Sequence, residues 1–331
     1  MAAADTTTIA GEVPQGTSPL RWLHATGSRL LSPSATGLKR AHFNDGWTAA
    51  GLLAPQLLIL LFFFFIPSWK ALSLALVQVD PFGGRVLFVG LRNFTDLFAS
   101  ESYRHSAVLT FWFTLVQNFM TLFIAGALAF ATDHIMRARF VYRSIILLPY
   151  AIAPVISGAI WAFLFNPAVG PIAAGIHALG MEWDPNLRPW DAVVLITISA
   201  VWKHVCYDYI FLTAALLAVP QSLREAAAID GASPWRRFVT ISLPLAMPTV
   251  FFLFIINLAY GLFDTFGIID AVTRGGPAGS TTTLVYKVYQ DGFVMLNLGS
   301  SAAQSIILMA LAVLFTVLQF RALDKRVNYQ V

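Results

Sequence analysis

Six apolar segments, roughly Thr48–Trp69, Ala107–Ala131, Ser144–Phe165, Ala192–Val219, Thr249–Ile269 and Ala302–Phe320, set the terms on which this chain folds. Each is close to the ~20 residues a helix needs to cross the hydrocarbon of a bilayer. In that medium a helix is the element that satisfies its own backbone polar groups, so the expectation is an all-α integral membrane protein with six transmembrane helices. Composition points the same way: 57% of the 331 residues are hydrophobic and only 11% charged, where a soluble domain carries about 25%. Pro55, Pro149 and Pro154 fall inside segments, where neighbouring helices can re-satisfy the carbonyls they free. No repeat is visible at the level of residues.

The chain divides into a tail, 1–45, and a transmembrane region, 46–331. The tail is rich in Ala, Thr, Gly, Ser and Pro, with Arg21, Arg29, Lys39 and Arg40 scattered through it. It reads as a disordered cytoplasmic segment rather than a signal peptide, because the first apolar run is too long for one. Thirteen Lys and Arg gather on one side of the six segments: the four in the tail, then Arg137, Arg139, Arg143, Arg224, Arg236, Arg237, Arg321, Lys325 and Arg326. Seven lie on the other: Lys70, Arg85, Arg92, Arg104, Arg188, Arg274 and Lys287. The positive-inside rule then puts both termini and the loop at 220–248 in the cytoplasm. The outward loops become Gln78–Ser106, Asn166–Asp191 and Asp270–Ser301, long enough for short helices, with turns at Asn166-Pro167, Gly170-Pro171 and Gly275-Gly276-Pro277.

Several kinds of chemistry receive no support. A phosphate-binding P-loop needs Gly before its Lys, whereas the five lysines follow Leu38, Trp69, Trp202, Tyr286 and Asp324. Any ATP must therefore be hydrolysed by another subunit, and no cofactor is expected on this chain. No His, Cys, Asp or Glu cluster has metal-site spacing, and no GxSxG nucleophile elbow is present. A net charge of +4 without a basic cluster argues against nucleic acid. The single cysteine, Cys206, excludes an intrachain disulfide.

Polar residues inside apolar segments are costly and often functional. Counting from Ala192, Lys203, His204, Tyr207 and Asp208 fall near mid-membrane. Lys203 and Tyr207 share one helix face by their spacing, as do His204 and Asp208. Gln117 and Asn118 reach a similar depth, and Asn257, Tyr260 and Asp264 lie along one face of segment five. Together these residues would line a polar cavity at the bundle centre. The competing reading is that His204 and Asp208 neutralise each other and the amides join helices. Lys203 stands apart, since an ammonium at that depth needs an anionic partner or water, which an anionic substrate would supply. The tryptophans Trp69, Trp112, Trp161, Trp183, Trp190 and Trp202 read as interfacial belt or bundle packing.

The stretch Glu225–Pro244, EAAAIDGASPWRRFVTISLP, is a polar stretch between two apolar segments. Ser222 and Glu225 have capping-box spacing, Gly231 can end a helix at positive φ, and Ser233-Pro234 can begin another. A helix–turn–helix at the membrane surface follows, and an amphipathic connector would satisfy the same physics.

Glu225-Ala226-Ala227, Asp230-Gly231 and Ile241-Ser242-Leu243-Pro244 resemble the EAA loop of ABC-importer permeases. The likeness extends over about 46–330 to the carbohydrate-type permeases, most closely to the A-type subunits of sn-glycerol-3-phosphate importers. It is carried by Val79-Asp80-Pro81-Phe82-Gly83, Leu147-Leu148-Pro149-Tyr150-Ala151, Val201-Trp202-Lys203, Phe263-Asp264-Thr265-Phe266, Ser300-Ser301-Ala302-Ala303-Gln304-Ser305 and Val327-Asn328-Tyr329-Gln330. The resemblance implies a type I permease fold in the bacterial inner membrane and alternating access. It implies a heterodimer with a second permease subunit, two ATPase subunits that use ATP and Mg, and an external substrate-binding protein. Glu225, Ala226, Ala227, Asp230, Gly231 and Pro244 would then contact the ATPase, and Asn118, Lys203, His204, Tyr207, Asp208, Asn257, Tyr260 and Asp264 would line the path. The implied cargo is sn-glycerol 3-phosphate or a glycerophosphodiester, with a neutral sugar or polyol as the alternative. An ion-coupled secondary transporter, with Asp208 or Asp264 as coupling carboxylate, is the competing class, and it leaves Glu225–Pro244 without a purpose.

Overall fold

The computed structural model describes residues 46–80, 85–134 and 139–324. The tail 1–45, Pro81-Phe82-Gly83, Arg137, Lys325, Arg326 and Val327–Gln330 lie outside the described residues. The chain divides into two units, 1–60 and 61–331. The described part of the first is the helix Gly46–Leu60, whose side chains from Ala50 onward are all exposed. A helix apolar on every face, with Leu52 83% exposed, is suited to lipid.

By length and apolarity the candidate membrane spans are Ala50–Ala75, Glu101–Thr132, Pro189–Leu217, Pro234–Asp264 and Leu298–Leu318, and the bent pair Val141–Ala151 and Pro154–Leu164 makes a sixth when its two limbs are counted as one span. These are spans one, two, four, five, six and, for the bent pair, three. All six expected segments are thus present as helix, and two differ in form from the sequence reading. Span three is not one rod: its limbs meet at 104°. The first limb runs out in a 3-10 turn, Leu148–Ala151, around Pro149. Ala153 is then forced extended by the ring of Pro154, which opens the second limb. Span five starts at Pro234, well before the expected Thr249. The reason is a wide π turn, Phe238–Ser242, placed where Pro244 would otherwise strike the carbonyl four residues back. Pro244 thereby becomes part of a helix start, Leu243–Ala259, instead of ending one.

Within the second unit the spans approach closely through small residues, since lipid offers no hydrophobic drive and packing must do the work. Gly261 passes span two so tightly that a Cβ would lie 2.7 Å from Thr114 Cγ2. Gly158 lies against Ile268 and Ala271 in the same way, at 3.0 Å. Ala125 and Ala129 of span two meet Tyr209, Leu212 and Leu253 in one buried cluster, and Phe113, Ile196, Ala200 and Tyr260 form part of another.

The loops between spans carry more structure than the short helices expected of them. Val77–Val79 and Val86–Phe88 form an antiparallel hairpin with Gln78 opposite Leu87, which no alternation in the sequence announced. Asn93 fastens it by donating to the carbonyls of Ala75 at 2.8 Å and Val77 at 3.0 Å. The Gly275–Thr283 loop is closed by Thr281 and Thr282, which donate to the Gly276 and Gly275 carbonyls. Leu284 N–H then donates to Thr110 Oγ1 at 2.8 Å, joining this loop to span two. Tyr286, outside the spans, has its phenol pushed up to about 12 by burial and by the Asp270 carboxylate, which accepts its O–H at 3.2 Å.

Candidate coupling turn and polar core

The Glu225–Gly231 stretch folds as an exposed turn. Its helix, Gln221–Ile229, has Pro220 at the N-cap and no side-chain cap, so the expected Ser222–Glu225 capping box does not form. Glu225 Oε1 accepts from Gln221 Nε2 at 2.6 Å instead, one helical turn back. The exit matches expectation. Gly231 has φ +77°, its N–H bonds the Ala228 carbonyl, and the Ala232 N–H bonds that of Ala227. This pair of bonds is the Schellman closure. Ser233 then caps the next helix by accepting from the Arg236 N–H at 3.3 Å. Trp235 and Phe238 stack at 5.7 Å, and Phe130 of span two meets both, fastening the turn to the bundle.

Glu225, Ala226, Asp230 and Gly231 are exposed, Ala227 is half-buried, and Ile229 stands 87% exposed beside them. No residue of the helix Gln221–Ile229 is buried. Pro244 is also exposed but belongs to span five.

The mid-membrane residues separate into two groups. Asn118, Asp208 and Asn257 have no exposed surface at all. Asn257 Nδ2 donates to Asp208 Oδ2 at 2.7 Å, and Asn118 Nδ2 to the Phe254 carbonyl at 2.9 Å. These amides and the carboxyl join spans two, four and five and do not face an open cavity. Lys203, His204 and Tyr207 are half-buried. His204 lies flat on Tyr260, with ring centres 3.9 Å apart, and near-parallel to Tyr207 at 5.3 Å. The His204–Asp208 pair weighed from spacing is therefore absent: His204 stacks, and Asp208 takes its partner from another helix. Tyr260 is buried with its O–H directed at the Ala200 carbonyl, 3.4 Å away. Asp264 is exposed at the end of span five. Lys203 Nζ donates to the Tyr150 carbonyl at 3.1 Å and lies 5.5 Å from the centre of that ring.

Sequence reasoning missed one polar cluster. Lys287 and Asp291 form a buried ion pair at 3.3 Å, and Asp291 Oδ2 also accepts from Ser300 and Gln304 of span six. The i, i+4 spacing of Lys287 and Asp291 was the available signal.

The sequence profile described as binding-protein-dependent transport system inner membrane component matches residues 123–329. The chain is 48% identical over 278 residues to the sn-glycerol-3-phosphate transport system permease protein UgpA of Rhizobium meliloti (strain 1021), covering 84% of this chain and 95% of that one. It is 45% identical to the protein of the same name from Pectobacterium atrosepticum over 88% of this chain and 99% of that one. In fold it resembles a chain of a bacterial ABC transporter involved in the import of the acidic polysaccharide alginate, with TM-score 0.74, 21% identity, and coverage of 85% and 96%. Spans, fold and matched residues agree: the chain is an integral membrane protein that belongs to the family of binding-protein-dependent transport system inner membrane components.

Proposed function

We propose that this chain is the permease subunit of an ATP-driven importer that carries sn-glycerol 3-phosphate across the bacterial inner membrane by alternating access. The observation that carries the reading is 48% identity, over 84% of this chain and 95% of the other, to a permease named for that cargo. Its partners are a second permease subunit, two copies of an ATPase that binds ATP and Mg, and an external binding protein. The termini and the Glu225–Gly231 turn face the cytoplasm, an orientation supported by the excess of Lys and Arg on that side. The turn transmits closure of the ATPase pair through span five, whose helix begins three residues after Gly231. Lys203, His204 and Tyr207 border the path, while Asn118, Asp208 and Asn257 hold its walls together. The ion-coupled alternative loses one of its two candidate carboxylates in this reading, because Asp208 is enclosed and bonded to Asn257, and it rests on Asp264 at the end of span five.

The test is uptake of labelled sn-glycerol 3-phosphate by phosphate-starved cells lacking this chain and by the complemented strain. Loss and recovery are expected. Unchanged uptake would remove the cargo assignment, and neutral sugars and polyols would then be screened. Lys203→Ala is expected to depress uptake of a phosphate ester more than that of a neutral polyol carried by the same complex, because only the former needs the ammonium. Equal losses for both would make Lys203 a structural residue.

A further inference from the structure

The bend in span three is held by two adjacent residues of span four. Lys203 reaches the first limb through the Tyr150 carbonyl, in the 3-10 turn that ends that limb. Trp202 meets the second limb edge-on through Trp161, with ring centres 5.7 Å apart and planes at 76°. A cavity of about 400 Å³ opens in the crook, bordered by Pro149, Trp161 and Trp202.

The two attachments differ in kind. The tryptophan contact is indifferent to charge. The lysine contact is a cation resting on a neutral dipole, and among the described residues no carboxylate reaches Lys203 Nζ. The ammonium's bond to the carbonyl is already charge-assisted, and an anionic oxygen adds to it a full charge–charge attraction that a neutral acceptor lacks. A phosphate arriving beside Lys203 therefore outcompetes the Tyr150 carbonyl, whereas the hydroxyl of a neutral polyol gains little by the exchange. Once the carbonyl is released, Ile152 and Ala153, outside helix on the N-terminal side of Pro154, are where the first limb turns. Trp202 still holds the second limb.

We infer that Tyr150 is a positioning residue of the transport path: its carbonyl parks Lys203 while the path is empty, and the anionic group of the cargo frees the first limb of span three by taking the ammonium. This rests on the reading that the cargo is a phosphate ester. Lys203 then serves as the charge reader, and the bend as the part of the fold that reports occupancy.

The experiment uses the full transporter in nanodiscs, without nucleotide, with Cys206→Ser and nitroxides at Val141→Cys and Phe163→Cys. These side chains are exposed near the far ends of the two limbs, at 54% and 60%. Electron–electron distance distributions are recorded with the binding protein plus sn-glycerol 3-phosphate, or plus glycerol. The phosphate ester is expected to shift the distribution and glycerol to leave it unmoved. Lys203→Gln is expected to show the shifted distribution without cargo and no further response, and Lys203→Arg to restore the response. Uptake by the same labelled complex in liposomes separates the two readings. If sn-glycerol 3-phosphate is carried but the distances stay fixed, or the Gln variant still responds, the latch is overturned and the cargo assignment stands. If only neutral polyols are carried, the cargo assignment falls and the latch falls with it.

Discussion

Gly231→Asp is expected to abolish uptake while the chain remains in the membrane at its normal level. The argument turns on what the substitution does not disturb. Among the described residues, a Cβ at position 231 meets no atom within 4 Å beyond its two chain neighbours, so there is no internal clash to unfold the turn. The cost inside the chain is confined to the backbone, since φ is +77° and an L-residue there loses about 1–2 kcal/mol. Asp is among the residues that visit this region most readily, and one exposed turn is small against a bundle of six spans. The damage is instead external: a carboxylate and its water are placed on the one edge where Glu225, Ala226 and Ile229 are presented without cover. The check is uptake together with the amount of chain in membranes and the amount of ATPase recovered with it. Normal uptake would remove the coupling assignment. Loss of the chain from the membrane would mean that the turn holds the fold and does not serve a partner. Gly231→Asn separates strain from charge, and uptake by it is expected to exceed that of the Asp variant.

The long apolar segments were legible because a bilayer imposes length and apolarity together, and each segment had to satisfy both alone. The turn at Gly231 was legible because positive φ, an N-cap serine and a following proline are local requirements. What escaped depended on partners distant in sequence. Span four shows Lys203, His204, Tyr207 and Asp208 in six residues, yet spacing says only which of them share a face. It does not say that Asn257, on another span, claims Asp208, nor that His204 finds Tyr260. The bend in span three had its cause in plain view at Pro149 and Pro154, but proline tolerance in membranes depends on neighbours, and here the chain turns by 104° instead of straightening. The hairpin at Val77–Phe88 rests on an asparagine side chain that reaches back 18 and 16 residues to the carbonyls of Ala75 and Val77. The capping box failed for a local reason: Pro220, not Ser222, takes the N-cap, and Gln221, one helical turn back, donates to the Glu225 carboxylate.

Asn257→Leu is expected to destabilise the chain markedly, and Asp208→Asn hardly at all, although both touch the same hydrogen bond. A hydrogen bond between membrane helices is worth about 0.6 kcal/mol on average, so loss of the bond alone would be a minor event. The asymmetry lies in what remains. Asp208 has no exposed surface, its Oδ1 has no partner, and Asn257 supplies the donor to Oδ2. Leucine in place of Asn257 leaves a buried carboxyl group with no side-chain donor on either oxygen, and an orphaned buried polar group costs about 1–3 kcal/mol. Asp208→Asn keeps an acceptor oxygen opposite Asn257 Nδ2 and removes the ionisable group, so the spans stay joined. Asp208→Leu combined with Asn257→Leu removes donor and acceptor together, and its stability is expected to recover toward that of the parent, with the two changes strongly non-additive. Thermal unfolding in detergent, followed by the fraction of monodisperse chain on size exclusion, reads the ranking: parent and Asp208→Asn highest, the double variant close behind, Asn257→Leu lowest. A double variant no more stable than Asn257→Leu would show that packing volume, and not the orphaned carboxyl, carries the cost. A large loss from Asp208→Asn would show that the carboxyl group itself is required, and would return Asp208 from the wall of the path to the path.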